Sequence, residues 1–158
     1  MTIRKFLLAL SLAGLLLTAA GCGGAPSVDW ELKVTGDVEN PLTLTYRELA
    51  GMEQVNLEEI LMEKSTGEDE VTSWSGVPLE ALLEEAGAAE ISTLTALAAD
   101  GYAIEISADE LENAIIALKD SGEWIAEVSP DKGPIRLVTP ETPANRWVFQ
   151  LTEIQVNQ

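Results

Sequence analysis

Hydrophobic and polar positions alternate through Trp30-Glu31-Leu32-Lys33-Val34, through Leu94, Ala96 and Ala98, and again through Tyr102, Ile104 and Ile106. Period-two alternation predicts strands with one face in a core and the other in water. Gly36-Asp37 ends the first run, and Asp100-Gly101 between the last two predicts a tight hairpin. Val55, Leu57, Ile60 and Met62 predict a further long strand that turns near Ser65-Thr66-Gly67 and returns through Val71 to Trp74. Ile115 to Leu118 predicts a buried strand stopped by Asp120-Ser121-Gly122, and Pro134 to Val138 a central one after a turn at Pro130 to Gly133. Trp147 to Ile154 predicts the last strand, reached through a loop punctuated by Pro140 and Pro143.

Helical spacing is confined to brief connections. Thr45-Tyr46-Arg47-Glu48 and Ser107-Ala108-Asp109-Glu110 both have capping-box spacing, in which the first hydroxyl and the fourth carboxylate each satisfy a backbone amide of the first turn. Between them, Trp74-Ser75-Gly76-Val77-Pro78 reads as a strand end and a corner. Leu79, Leu82, Leu83 and Ala86 then recur on one helical face, with Glu80, Glu84 and Glu85 on the other. Pro78 suits a first helical turn, and Gly87 suits the left-handed stop. Many short strands with three brief helices in the connections predict an α+β domain built on a mixed, mainly antiparallel sheet.

The N-terminus has a different pattern. Arg4 and Lys5 precede an apolar run from Phe6 to Leu17, closed by small residues and Cys22. That is the organisation of a secretory signal, and the run is shorter than the roughly 20 residues of a membrane span. Ala19-Ala20-Gly21-Cys22 resembles the lipobox of bacterial lipoproteins, with Ala19 where leucine is more usual. The resemblance implies acylation of Cys22 as the new N-terminus. The expected organisation is a lipoprotein signal peptide over 1–21, a flexible tether over 22–28 and one domain over 29–158. It implies extracytoplasmic placement, lipid-anchored to a bacterial membrane.

Charge narrows the partners. With 27 acidic and 9 basic residues the chain carries −18, and loss of Arg4 and Lys5 with the leader takes the mature chain to −20. Such a surface repels nucleic acid and anionic headgroups, so membrane attachment is expected through the lipid alone. Glu68-Asp69-Glu70 lacks the alternating ligands and central glycine of a calcium loop and reads as a solvated hairpin tip. Histidine is absent and cysteine occurs once, at Cys22. These counts exclude an internal disulfide, Ser-His and Cys-His hydrolysis, and most zinc sites.

Several separated segments resemble the molybdopterin-dependent oxidoreductase domain, the cofactor-binding fold of sulfite oxidases, in order along the chain. They are Leu42 to Leu49, the W-x-G-V-P-L corner and helix from Trp74 to Gly87, Ala99 to Tyr102 with Ser107 to Leu111, Gly133 to Pro140, and Trp147 to Val156. The resemblance implies that fold for nearly all of the mature chain. In that family a thiolate on the strand before the corner ligates molybdenum, a role that suits a soft anionic donor. Here the corresponding region, Leu57 to Lys64, contains no cysteine, and Met62 or a near neighbour stands in its place.

The resemblance therefore implies the fold without its metal ligand. The expectation is a non-catalytic envelope lipoprotein, with no catalytic or metal-ligating residue and no cofactor, binding a small ligand or a partner protein in the crevice. Tyr102, Arg136, Arg146 and Trp147 are the candidate crevice residues, with Lys132 behind them, because arginines and aromatics supply most binding energy in such sites. Arg136 matches the family's G-P-x-R-L-V motif. Two alternatives stay open: a molybdopterin-binding oxidoreductase subunit with atypical metal ligation, and a structural module of an envelope complex.

Overall fold

The computed structural model describes residues 24–158; the signal peptide expected over 1–21 and the lipid attachment expected at Cys22 lie outside the described residues. Residues 24–30 run without regular structure into the first strand. Among the described residues, no helix is long and apolar enough to cross a membrane.

The chain forms β1 (Glu31–Gly36), β2 (Leu42–Thr45), α1 (Tyr46–Gly51), β3 (Val55–Met62), β4 (Glu70–Pro78) and α2 (Leu79–Ala86). It continues with β5 (Thr93–Ala98), β6 (Ala103–Ser107), a 3-10 turn (Ala108–Leu111), β7 (Ile115–Asp120), β8 (Glu123–Trp124) and α3 (Ile125–Val128). Then come β9 (Arg136–Val138), a second 3-10 turn (Ala144–Arg146), β10 (Val148–Phe149) and β11 (Leu151–Asn157). One sheet has the order β2-β1-β11-β5-β6 and the other β10-β9-β7-β4-β3, with β8 added to β7. Among the described residues, only β1 and β11 pair in parallel; the α+β, mainly antiparallel expectation holds, divided over two sheets.

Local chemistry sets most boundaries. Both capping boxes close as their spacing predicts, although the one at Ser107 opens a 3-10 turn rather than an α-helix. Gly87 ends α2 in the left-handed region at φ 70°. Pro78 is the last residue of β4 and the cap of α2 rather than part of its first turn. The predicted last strand is in fact two. Gln150, at φ 47°, breaks it, so that β10 pairs with β9 in one sheet and β11 with β1 and β5 in the other. β8 and α3 were not visible as patterns, being only 2 and 4 residues long.

The core lies between the sheets. Leu32 and Val34 of β1, Leu94 and Ala96 of β5, and Ile154 and Val156 of β11 meet Val77, Ile116, Leu118, Leu137 and Val148 from the other sheet, with Leu79, Leu82, Leu83 and Ala86 of α2 closing one side. A smaller apolar cluster covers the outer face of the β10-β9-β7-β4-β3 sheet: Trp74, Ile115, Ala117, Ile125, Val138 and Trp147. The candidate site is on that outer face.

Candidate functional site

Register builds the site. Paired positions in antiparallel strands present their side chains to the same face, and one row crosses the sheet as Phe149, Arg136, Ala117, Gly76 and Val55. Ala117 and Gly76 are small, which leaves room on this face beside the Arg136 side chain. Trp74 of β4 and Trp147, just before β10, meet edge-to-face with centroids 5.9 Å apart and planes at 87°. The Arg136 guanidinium carbon lies 4.9 Å from the Trp74 ring, 5.0 Å from Trp147 and 3.8 Å from Phe149. The negative faces of the rings hold a cation that is largely withdrawn from water.

The indoles are fixed in turn. Trp74 Nε1 donates to Thr72 Oγ1 at 2.8 Å, whose hydroxyl donates to the Ile60 carbonyl at 3.2 Å. Trp147 Nε1 donates to the carbonyls of Thr139 at 2.8 Å and Thr142 at 3.2 Å, and the two threonine hydroxyls bond each other at 2.6 Å. Each aromatic wall thus has its polar atom satisfied, which locks its orientation.

Arg136 is not satisfied. It is 6 % exposed, and its Nε is buried without a hydrogen-bond partner. Burial pulls the guanidinium down to about 10, with Asp120 acting in the opposite direction. The ion pairs found among the described residues are Lys64–Glu70 and Arg146–Glu110; neither includes Arg136. A cavity of about 240 Å³ opens over Arg136, Trp74, Phe149, Lys132, Asp120 and Met62. Lys132 Nζ stands 5.8 Å from the centroid of the Phe149 ring. Within the cavity wall, Lys64 is bound to Glu70 at 2.7 Å. The arrangement offers a desolvated guanidinium, a second cation and flat aromatic walls, which suit a small anion.

The four sequence-predicted crevice residues do not share one wall. Arg136 and Trp147 come together. Arg146 turns away, its guanidinium on the Glu110 carboxylate at 2.7 Å and the Glu105 carbonyl at 3.1 Å, where it ties the second 3-10 turn to β6. Tyr102 is 45 % exposed at the β5–β6 hairpin of the other sheet. Sequence reasoning missed Trp74 as a ring over the arginine, and Phe149. The signal for Phe149 was the cross-strand pairing with Arg136, which appears only once Gln150 ends β10.

A family model described as oxidoreductase molybdopterin binding domain matches residues 22–158. The chain belongs to this family. Among solved structures, it is similar to the sulfane dehydrogenase SoxCD from Paracoccus pantotrophus, with a TM-score of 0.72 and 23% identity over 85% of this chain and 40% of that one. The likeness shows the fold, and the chain spans well under half the length of that relative. No functionally curated protein matches the sequence.

The family's cofactor makes two demands, a soft anionic donor for the metal and cations for its anionic tail. Arg136 and Lys132 can meet the second. For the first, residues 24–158 contain neither cysteine nor histidine, and no group of three or more metal-capable side chains occurs among the described residues. Met62, at the cavity wall, offers an uncharged thioether. Among the described residues, the donor set does not fit the thiolate-held metal of this family.

Proposed function

We propose that this protein is an extracytoplasmic lipoprotein, anchored through Cys22, whose molybdopterin-domain fold serves as a non-catalytic binding module for a small anionic ligand. One observation carries the reading: Arg136, boxed by Trp74, Trp147 and Phe149, keeps a buried and unpartnered Nε beneath an open cavity. Burying an unpaired cation is costly, and a ligand carboxylate, phosphate or sulfonate would repay it by charge-assisted hydrogen bonds. The family thiolate is missing from the described chain, and no histidine stands ready as a base.

Two experiments test this. Cys22→Ala should move the protein out of the membrane fraction and abolish metabolic labelling with a fatty acid; retention of both would refute the anchor. Protein purified from its own membranes should contain no stoichiometric molybdenum or pterin. Its tryptophan fluorescence should respond saturably to small oxyanions, because Trp74 and Trp147 flank the cation, and Arg136→Met should remove that response. Stoichiometric metal and pterin would replace this reading with the oxidoreductase one. A flat response to every oxyanion, with nothing bound, would leave a structural module.

A further inference from the structure

A second and larger depression lies elsewhere, and its chemistry is opposite to that of the Arg136 cavity. It encloses about 820 Å³ between α2, the Ala108–Leu111 turn and the start of β3. Leu79, Leu83 and Ile115 form a buried floor, while Leu57, Ile91 and Leu111 are half-buried walls. The charged residues that line it are Glu80, Glu84, Asp109 and Glu112, all exposed carboxylates, with no lysine or arginine among them. None of the four takes part in the ion pairs found among the described residues.

β3, which supplies Val55 and Leu57 to the wall, is also the end strand of its sheet, hydrogen-bonded to β4 on one side only. Val55 is 37 % exposed there. The volume is at the upper end of the usual 300–1,000 Å³ or so for binding pockets, and an apolar floor beside an open strand edge is the setting in which an extended segment of another chain docks.

We propose that this groove receives a segment of a partner protein that presents apolar side chains flanked by lysine or arginine. The apolar floor accounts for the hydrophobic part of the segment, and four unpaired carboxylates around it favour cations and disfavour anions by complementarity. An anionic membrane surface is disfavoured by the same four charges. The proposal is independent of the ligand assigned to Arg136.

The test uses the lipidated full-length protein in nanodiscs of neutral lipid. Three probes are compared by fluorescence anisotropy and amide shifts: a twelve-residue leucine–lysine peptide, its leucine–glutamate counterpart, and hexyltrimethylammonium. The leucine–lysine peptide should bind saturably and shift the amides of Leu83 and Leu111. Binding should weaken at least tenfold in the combined variant Glu80→Gln, Glu84→Gln, Asp109→Asn, Glu112→Gln. It should change less than threefold when four carboxylates outside the groove are removed by Glu63→Gln, Glu68→Gln, Glu123→Gln and Glu141→Gln. Val55→Ser, at an exposed position of the end strand, should weaken it severalfold. Equal losses in the two quadruple variants would show mere attraction to an acidic protein and overturn the proposal. Binding of the leucine–glutamate peptide, or of the small cation in place of the peptide, would also overturn it.

Discussion

Phe149 lies directly opposite Arg136 across the β9–β10 pair, and its ring centroid is 3.8 Å from the guanidinium carbon. Of the three rings around the buried cation, the nearest is therefore a cross-strand neighbour, placed by backbone register. A cation held by rings keeps its hydrogen-bonding capacity for something else. Arg146 shares the buried, unpartnered Nε, but it places another guanidinium nitrogen on the Glu110 carboxylate, so its charge is paired where that of Arg136 is not.

Arg136→Met tests whether the cation is there for stability. Burial lowers its folded value to about 10 from an ordinary value of 12.5, so the folded chain holds this proton less tightly than the unfolded chain does. At neutral pH the charge costs folding free energy, and that cost is relieved only as pH rises above about 10. The rings offset part of it. Methionine has a similar length and no charge, so Tm at pH 7 should stay the same or rise, by up to about 2 kcal/mol in stability. The oxyanion response should disappear. Thermal melts beside fluorescence titration give both readings, and a loss of about 3 kcal/mol or more would make Arg136 a structural residue.

Local signals in the chain were legible because each is settled by a few adjacent residues. Asp100-Gly101 needs only a glycine at φ 88° to make its hairpin, and Thr45 and Ser107 need only a glutamate three residues on. The site was half legible for the opposite reason. Arg136 stood out by its motif, but its rings arrive from β4 and from around β10 through sheet register, which period-two alternation cannot specify. Gln150 was the hardest point: glutamine carries no turn signal, yet at φ 47° it sends the chain from one sheet to the other. Arg136 and Arg146 look equivalent in sequence, and only packing shows that one is paired and the other boxed.

Tyr46→Phe should stabilise the protein. The hydroxyl is buried with no hydrogen-bond partner, and the ring packs edge-on against Trp124 with centroids 6.4 Å apart. Removing an unsatisfied buried hydroxyl while keeping the ring is worth about 1 kcal/mol. Burial, then the charge of Glu127, push the phenol up to about 12. The unfolded chain therefore ionises first, and stability falls as pH climbs from about 10. Phenylalanine lacks that component. Denaturant melts at pH 7 and pH 10.5 should show the larger advantage of the variant at the higher pH; a destabilised variant at pH 7 would point to a hydrogen bond through water.

Glu110 links three elements, accepting from the Ser107 amide at 3.0 Å, the Ser107 hydroxyl at 2.9 Å and Arg146 at 2.7 Å. The Ser107 amide first, then its hydroxyl and Arg146, hold the carboxyl below its ordinary value. The stability it contributes is therefore present above the ordinary glutamate range near 4.3 and is lost as pH falls through the lower folded value. Glu110→Gln should lower Tm at pH 7 and lose its difference from wild type in acid. A double-mutant cycle with Arg146→Met should give a coupling of about 0.2–1 kcal/mol, the usual scale for an accessible pair. No coupling at neutral pH would leave the capping bonds as the whole effect.

Gly76→Ala should be severely damaging. Gly76 is in β4 opposite Ala117, inside the row that runs to Arg136. An added Cβ would meet the backbone of β7 at Ile116 and Ala117, well inside contact distance. Backbone in a central strand cannot rotate aside as a side chain can, so β4 and β7 would have to separate, disturbing both the core and the floor under Arg136. The expected loss is about 4 kcal/mol or more, at the severe end for a single substitution, with little folded protein recovered. Gly67, at the β3–β4 turn, is the control: its φ of 89° strains an alanine, but the position faces open space. Gly67→Ala should therefore cost about 1–2 kcal/mol from backbone conformation alone. Comparable losses at the two positions would mean that β4 and β7 accommodate the added methyl and that their close approach does not require Gly76.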